Sequence, residues 1–529
     1  MRRPTLQASL LSPTALLIGF LVVGVGCRGV ESTPSRRTLI DSRDREDPRS
    51  LDPALSTDVP TGRAVSYVFD GLVRFTPDAQ VVPGLARSWD ITDGGRTYTF
   101  HLRTGVKFHD GTPFLARHVV QSFQRVLDPR STGGIGWPLY PILGARDYTE
   151  GRATTVAGLS APDDSTIVIR LTEPFAVFTK LLAMPAAHIV PNSIPENFGQ
   201  RPVGTGPWKF VEWRHDDYLL FARNDEYFDG VPQAESLRAR IIPEPSTAVA
   251  EFESGNVDIL YVPEAETRNW EETDEKRARL VSAPALRLWY VGINTTRGPL
   301  RDARVRQALN YAVDVRTIWE RMMSRRGTIA AGVIPPSLPG ADASRQPYQR
   351  DVERARQLLR EAGYPNGIDV ELWSSQTAPS PRIAQTIQAY LGEAGIRVRL
   401  QQRDAPSVRE AARNGQVDLF LKDWFADYPD AENFLYPLLH SANRGQGGNI
   451  SFYSNPEFDR IVNASRVELD DAARTRLYQQ ADAIAFRDAP MIFLFFYTDM
   501  LGVQPWIRGF EVPVIFNGQR FTNVSIGGQ

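Results

Sequence analysis

Val417-Asp418-Leu419-Phe420-Leu421-Lys422-Asp423-Trp424-Phe425-Ala426-Asp427-Tyr428-Pro429-Asp430 opens as a nearly continuous apolar run and closes as a stretch of rings and carboxylates. A short apolar run of this kind suits a strand covered on both faces. The residues before it alternate in period. Ser407 to Arg413 fits a helix, and Ile396, Val398 and Leu400 alternate as a strand. Pro381 opens a helix through Ile383, Ile387 and Leu391 that stops at Gly395. Val370 and Leu372 alternate again. Val352, Ala355, Leu358, Leu359 and Ala362 are spaced as one helical face, with Gly363 placed to end it. Strands alternating with helices of ~10–15 residues imply an α/β fold whose parallel sheet is closed by right-handed crossovers. A similar phrase occurs earlier, where Val249 to Ser254 leads into Gly255-Asn256-Val257-Asp258-Ile259-Leu260. It parallels Asn414-Gly415-Gln416-Val417-Asp418-Leu419. The two phrases read as equivalent pieces of two separate lobes.

Ligands of open α/β sheets bind just outside the carboxyl ends of the strands. The segment after Leu421 therefore supplies the candidate site. Trp424, Phe425 and Tyr428 offer aromatic walls, and Asp427 offers a carboxylate among them. That combination suits a cationic group such as an α-ammonium, because an ion pair strengthens when water is excluded and ring faces add cation–π attraction. A plain alternative is that Asp427 caps the turn before Tyr428-Pro429, as Asp favours turns.

The chain has 529 residues, which implies two or three domains. Its 42% hydrophobic and 23% charged content is that of an ordinary globular protein. The formal net charge is -2, from 60 basic and 62 acidic residues, which argues against nucleic acid as a partner. Arg2 and Arg3 followed by the apolar Ala15 to Gly26 read as a signal peptide, the apolar part being shorter than the roughly 20 residues that span a bilayer. It ends at Cys27, the one cysteine of the chain, so no internal disulfide can form. Small residues before a lone cysteine resemble a bacterial lipobox, with Gly24 where Leu is usual. Residues 28–50 are polar and charged and read as a tether.

Enzyme signatures are missing. None of the six histidines forms an H-E-x-x-H or other helical metal pair, and His101 and His109 flank a turn as expected of surface residues. Gly204-Thr205-Gly206 lacks the Lys-Ser/Thr of a phosphate loop, and no G-x-S-x-G elbow occurs. Neighbouring carboxylates such as Asp216-Asp217 are expected by chance among 62 acidic residues. No catalytic residue, metal site or cofactor is expected.

An ordered set of blocks then carries a resemblance. It runs through Leu51-Asp52-Pro53, Val68-Phe69-Asp70-Gly71-Leu72-Val73 and Val82-Pro83-Gly84-Leu85-Ala86-Arg87-Ser88-Trp89. It continues through Gly105-Val106-Lys107-Phe108-His109-Asp110-Gly111-Thr112-Pro113-Phe114, Gly204-Thr205-Gly206-Pro207-Trp208 and Arg223-Asn224. Ile293-Asn294, Pro299 to Asp302, Val305 to Asp314 and Ala355 to Pro365 complete it. Arg117-His118 departs from it, since an acidic residue usually precedes that valine. The chain resembles the family 5 extracellular solute-binding proteins, the dipeptide- and oligopeptide-binding proteins of ABC importers. The resemblance implies a two-lobed periplasmic-binding-protein fold with a hinge and an extra subdomain in the first lobe. Lobe I is then expected over 51–65, 190–280 and 490–529, its subdomain over 66–189, and lobe II over 281–489. It also implies that Asp427, in a Trp-x-Ala-Asp-Tyr segment, holds a peptide's N-terminal ammonium, while no motif marks a partner for the peptide's carboxylate. The expected protein is a non-enzymatic, lipid-anchored monomer of the cell envelope, anchored to the membrane through Cys27. Its expected partners are a peptide and the permease subunits of an ABC transporter. An oligosaccharide, an opine or chelated nickel is the alternative cargo.

Overall fold

The computed structural model describes residues 37–131 and 134–527. The expected signal peptide, Cys27 and residues 28–36 of the expected tether lie outside the described residues. One mixed sheet dominates. In chain order its strands are β1 (Thr38–Asp44), β2 (Trp208–Arg214), β3 (Tyr218–Arg223), β4 (Ser236–Ile241), β5 (Ile259–Tyr261), β6 (Leu280–Ile293), β7 (Ile368–Ser375), β8 (Ile396–Arg403), β9 (Leu419–Phe425) and β10 (Met491–Val503). Their spatial order is β8-β7-β9-β6-β10-β5-β1-β4-β3-β2, and an eleventh, short strand, Thr328–Ile329, pairs with β10 off that path.

The long strands β6 and β10 belong to both halves of this sheet. Leu280 to Pro284 of β6 pairs with Gly502 to Thr498 of β10, and the register breaks before Leu288 takes Phe496. On one side of that break β5 pairs with Leu501 to Val503. On the other, β9 pairs with Arg287 to Ile293. The chain thus crosses between two lobes on a two-strand ribbon with a discontinuity in its ladder, the geometry of a hinge.

The second lobe follows the period reading closely. Helices α1 (Val352–Glu361), α2 (Ser380–Glu393) and α3 (Ala405–Arg413) alternate with β7, β8 and β9, and β7 pairs parallel with both β8 and β9. Asp351 and Asp404 cap α1 and α3 by accepting backbone N–H bonds from Arg354 and Ser407. The twin phrases occupy equivalent places. Asp258 accepts the Ile40 N–H of the neighbouring strand at 2.7 Å, and Asp418 accepts the Glu371 N–H of its neighbour at 2.9 Å.

A separate antiparallel sheet, in the order Ala86–Thr92, Thr97–Leu102, Thr166–Arg170, Leu159–Asp163, packs with the helix Ala116–Leu127 around Phe100, Phe123 and Ile167. The family blocks join it to the first lobe. Asp70 is fully buried and accepts from Thr205 Oγ1, Tyr227 Oη and the Arg520 guanidinium, drawing four distant segments together. A Cβ on Gly204 would lie 2.1 Å from the Val68 carbonyl oxygen, so only glycine lets those backbones meet. His109 is half-buried rather than a surface residue. Its ring bonds the Gly206 carbonyl at 2.9 Å, and burial lowers its pKa to about 4. The unusual His118 takes the place of the acidic residue at the start of its helix, its Nδ1 accepting the Leu115 N–H at 3.0 Å.

The tether expectation needs correction. From Thr38 onward the chain is β1, a central strand flanked by β4 and β5. Its charges misled the reading because they pair inside, with Arg43 Nε 2.8 Å from Asp41 and both side chains buried. Among the described residues no helix is long and apolar enough to cross a membrane.

Candidate functional site

Strand β9 runs on to Phe425, beyond the apolar residues that announce it. Successive strand residues face opposite sides, so Trp424 and Phe425 cannot both wall one cavity. Trp424 faces the cavity. Phe425 packs instead toward Phe516, their ring centroids 6.5 Å apart, and the wall expected of it is corrected on that ground. After Phe425, a turn leads into α4 (Glu432–Leu439), which faces the same cavity with Glu432, Asn433 and Tyr436.

Trp424, Asp427 and Tyr428 line a cavity of about 960 Å³. That volume lies within the ~300–1,000 Å³ typical of small-molecule sites. Asn433, Glu432, Tyr436 and Arg466 complete the second-lobe side, and Trp137, Tyr140 and Phe175 face them from the first-lobe subdomain. Asn433 orients the central carboxylate. Its Oδ1 accepts the Asp427 N–H at 2.9 Å, and its Nδ2 lies 3.5 Å from Asp427 Oδ2. Among the described residues no cation forms an ion pair with Asp427. Burial pushes its carboxyl up to about 6, against the Asn433 hydrogen bond and the Lys422 charge. The Trp424 indole N–H is buried and has no acceptor among the described residues. The site therefore presents an uncompensated carboxylate and an unused donor, both of which a ligand can satisfy.

Tyr428 is buried at 2% exposure, with its hydroxyl bonded to Glu432 and its ring against Trp137, centroids 6.1 Å apart. Arg466, from α5 (Pro456–Val467), pairs with Glu432 at 2.9 Å and lies 3.7 Å over the Tyr436 ring and 4.8 Å over Phe175. Lys180, from the short helix Phe178–Leu182, donates to the Pro429 carbonyl at 2.9 Å and to Asp430 at 2.6 Å. Although burial pushes the Asp430 carboxyl up, the Lys180 ammonium holds it below the usual carboxylate range. The loop bearing Asp427 is thus tied to the first-lobe subdomain on both sides. Lys180, Asn433, Glu432 and Arg466 carry no sequence signal of this role, because only the fold brings them to the loop.

Comparison with known proteins follows the same lines. The model of bacterial extracellular solute-binding proteins, family 5, matches residues 80–446. Heme-binding protein A of Haemophilus influenzae is 33% identical over 505 residues, covering 91% of both chains. The dipeptide-binding protein of Escherichia coli is 30% identical over 505 residues, covering 90% of this chain and 93% of that one. Among solved structures, a periplasmic binding protein from Helicobacter pylori in complex with the peptide STSA superposes with a TM-score of 0.79 and 27% identity, covering 93% of this chain and 98% of that one.

Proposed function

The chain belongs to the bacterial extracellular solute-binding proteins of family 5, and from that membership we propose that it captures short peptides between its lobes for an ABC importer. The observation that carries the peptide reading is Asp427, a carboxylate in the wall of an aromatic cavity that has no ion pair among the described residues. An α-ammonium entering there gains a charge-assisted bond to Asp427 in surroundings that exclude water. Trp424 and Tyr428 flank it, and the Trp424 N–H donates to the first carbonyl oxygen of the peptide. The protein acts as a monomer held to the membrane by acylation of Cys27. It hands its cargo to permease subunits and performs no catalysis.

The test is capture from a mixture. The purified protein is incubated with a tryptic digest of casein, separated by gel filtration, and the bound peptides are identified by mass spectrometry. The same digest with acetylated amines is the control. Enrichment from the free-amine digest alone supports the reading, and equal capture from both, or from neither, overturns it. A second reading is favoured by the relative named for heme: the cavity would then take a different solute, and neither digest would be captured.

A further inference from the structure

Ser324, Arg325 and Gly327 hold positive φ, at 48, 60 and 90°. For a serine and an arginine this conformation is strained, and it persists where the surrounding structure imposes it. A Cβ on Gly327 would collide with the Phe496 carbonyl of β10, so the turn also needs its glycine. The turn sends Arg326 inward. Arg326 is 2% exposed, and among the described residues it forms no ion pair. Its guanidinium donates instead to the Val262 carbonyl at 2.6 Å, to Tyr497 Oη at 2.7 Å and to the Met500 thioether at 3.1 Å. A cation is costly to bury without a carboxylate, and well-packed apolar side chains in such a place are often no less stable. Backbone strain and an uncompensated buried charge at one turn point to a role other than stability.

The partners of Arg326 lie along one edge of β10, at the hinge. On that edge β5 of the first lobe pairs with Leu501 to Val503, and the Val262 N–H that follows β5 bonds the Met500 carbonyl at 2.9 Å. Further along, the strand Thr328–Ile329 of the second lobe takes Phe496 and Phe495. Tyr497 lies between the two, opposite the break in the β6–β10 register. One side chain from the second lobe thus spans the gap to the first. Tyr497 extends the link by donating to Glu264 at 2.7 Å. The Arg287 guanidinium, which holds Asp423 on the ligand-bearing strand β9, lies 5.2 Å from the centre of the Tyr497 ring.

We propose that Arg326 is a hinge pin, a positioning residue that ties the lobes across the register break and holds the empty protein in the arrangement that closes both lobes on the cavity. Arg326 does not line the Asp427 cavity. It acts on affinity through the population of the closed form, without touching the ligand. Loosening the pin therefore weakens every cargo by one factor, whatever charges the cargo carries.

Two substitutions test the pin in the purified protein. Tyr497→Phe keeps the ring and removes the hydroxyl that joins Arg326 to Glu264. Arg326→Gln keeps a donor near the Val262 carbonyl and removes the charge. Small-angle scattering of the empty protein is expected to give a larger radius of gyration for both variants than for wild type, with Arg326→Gln the larger of the two. Calorimetric titration with a peptide captured from the casein digest, and with its acetylated form, is expected to show the same loss for both ligands, about threefold or more in Tyr497→Phe. A radius unchanged in Tyr497→Phe overturns the pin, whether or not Arg326→Gln folds, and a lower urea midpoint beside that unchanged radius marks the residue as structural. A loss confined to the free-amine peptide also overturns it, because the effect then belongs to the ligand site. The scattering measurement needs no ligand, so it decides the pin even if the digest yields no captured peptide.

Discussion

At Asp427 the ionised form that a ligand needs is the form the empty site holds least well, because burial raises the carboxyl to about 6 from an ordinary 3.8. The folded state therefore binds the proton more tightly than the unfolded chain does. Stability from this group is present at low pH and is lost as pH rises through about 6, by up to about 3 kcal/mol. Asp427→Asn removes that burden, so the ligand-free variant is expected to melt several degrees above wild type at pH 8, with the gap closing by pH 4. Equal melting temperatures at pH 8, read by differential scanning calorimetry, contradict the assignment. Asp427 was singled out in the sequence by its place between Trp424 and Tyr428 past a buried strand. A turn cap explained it as well there, and the resemblance to a Trp-x-Ala-Asp-Tyr segment is what favoured an amine anchor. Asn433, which orients it, was not singled out. An amide five residues on from the Tyr428 ring looks like any helix residue until α4 folds it back.

Strands and helices of the second lobe were readable because their periods are clean and their ends carry caps, Asp351 and Asp404 among them. Where charge enters a strand, the period reading fails. Lys422 and Asp423 hid the last turns of β9, although Arg287 neutralises one and the Trp424 ring supports the other. The same masking made β1 look like a tether. Within this lobe the sheet is tightly filled at Gly292 of β6, where a Cβ would lie 2.0 Å from the Phe420 ring of β9. Gly292→Ala forces that ring to move and is expected to cost about 1–3 kcal/mol, as overpacked cores do, measured as a shift in urea midpoint. An unchanged midpoint would mean that the β6–β9 contact is looser than the structure shows.

Across the whole molecule, the ribbon of β6 and β10 lets the lobes turn, and the bonds of Lys180 to the Asp427 loop and the Arg466 guanidinium over the Phe175 ring hold them together. Asp430 is 4% exposed, so removing its cation leaves a buried carboxylate with only the neutral donors Tyr478 Oη and Glu432 N–H among the described residues. Lys180→Met is expected to disfavour the closed form by about 3 kcal/mol, the lower range for a broken buried pair. Small-angle scattering should then report a larger radius of gyration than for wild type, and an identical one would show that this pair does not set closure. None of this linkage was visible in the sequence. It spans 250 residues of chain and depends on how two separately folded surfaces meet.

The central claim is that Asp427 holds the ammonium of the cargo, and calorimetric titration of wild type and Asp427→Ala with one peptide recovered from the casein digest tests it most directly. The account predicts that the variant loses at least ~1.5 kcal/mol of binding free energy, roughly tenfold in affinity, while the acetylated peptide binds both proteins with the same low affinity. Equal affinity of the free-amine peptide for wild type and Asp427→Ala would contradict it.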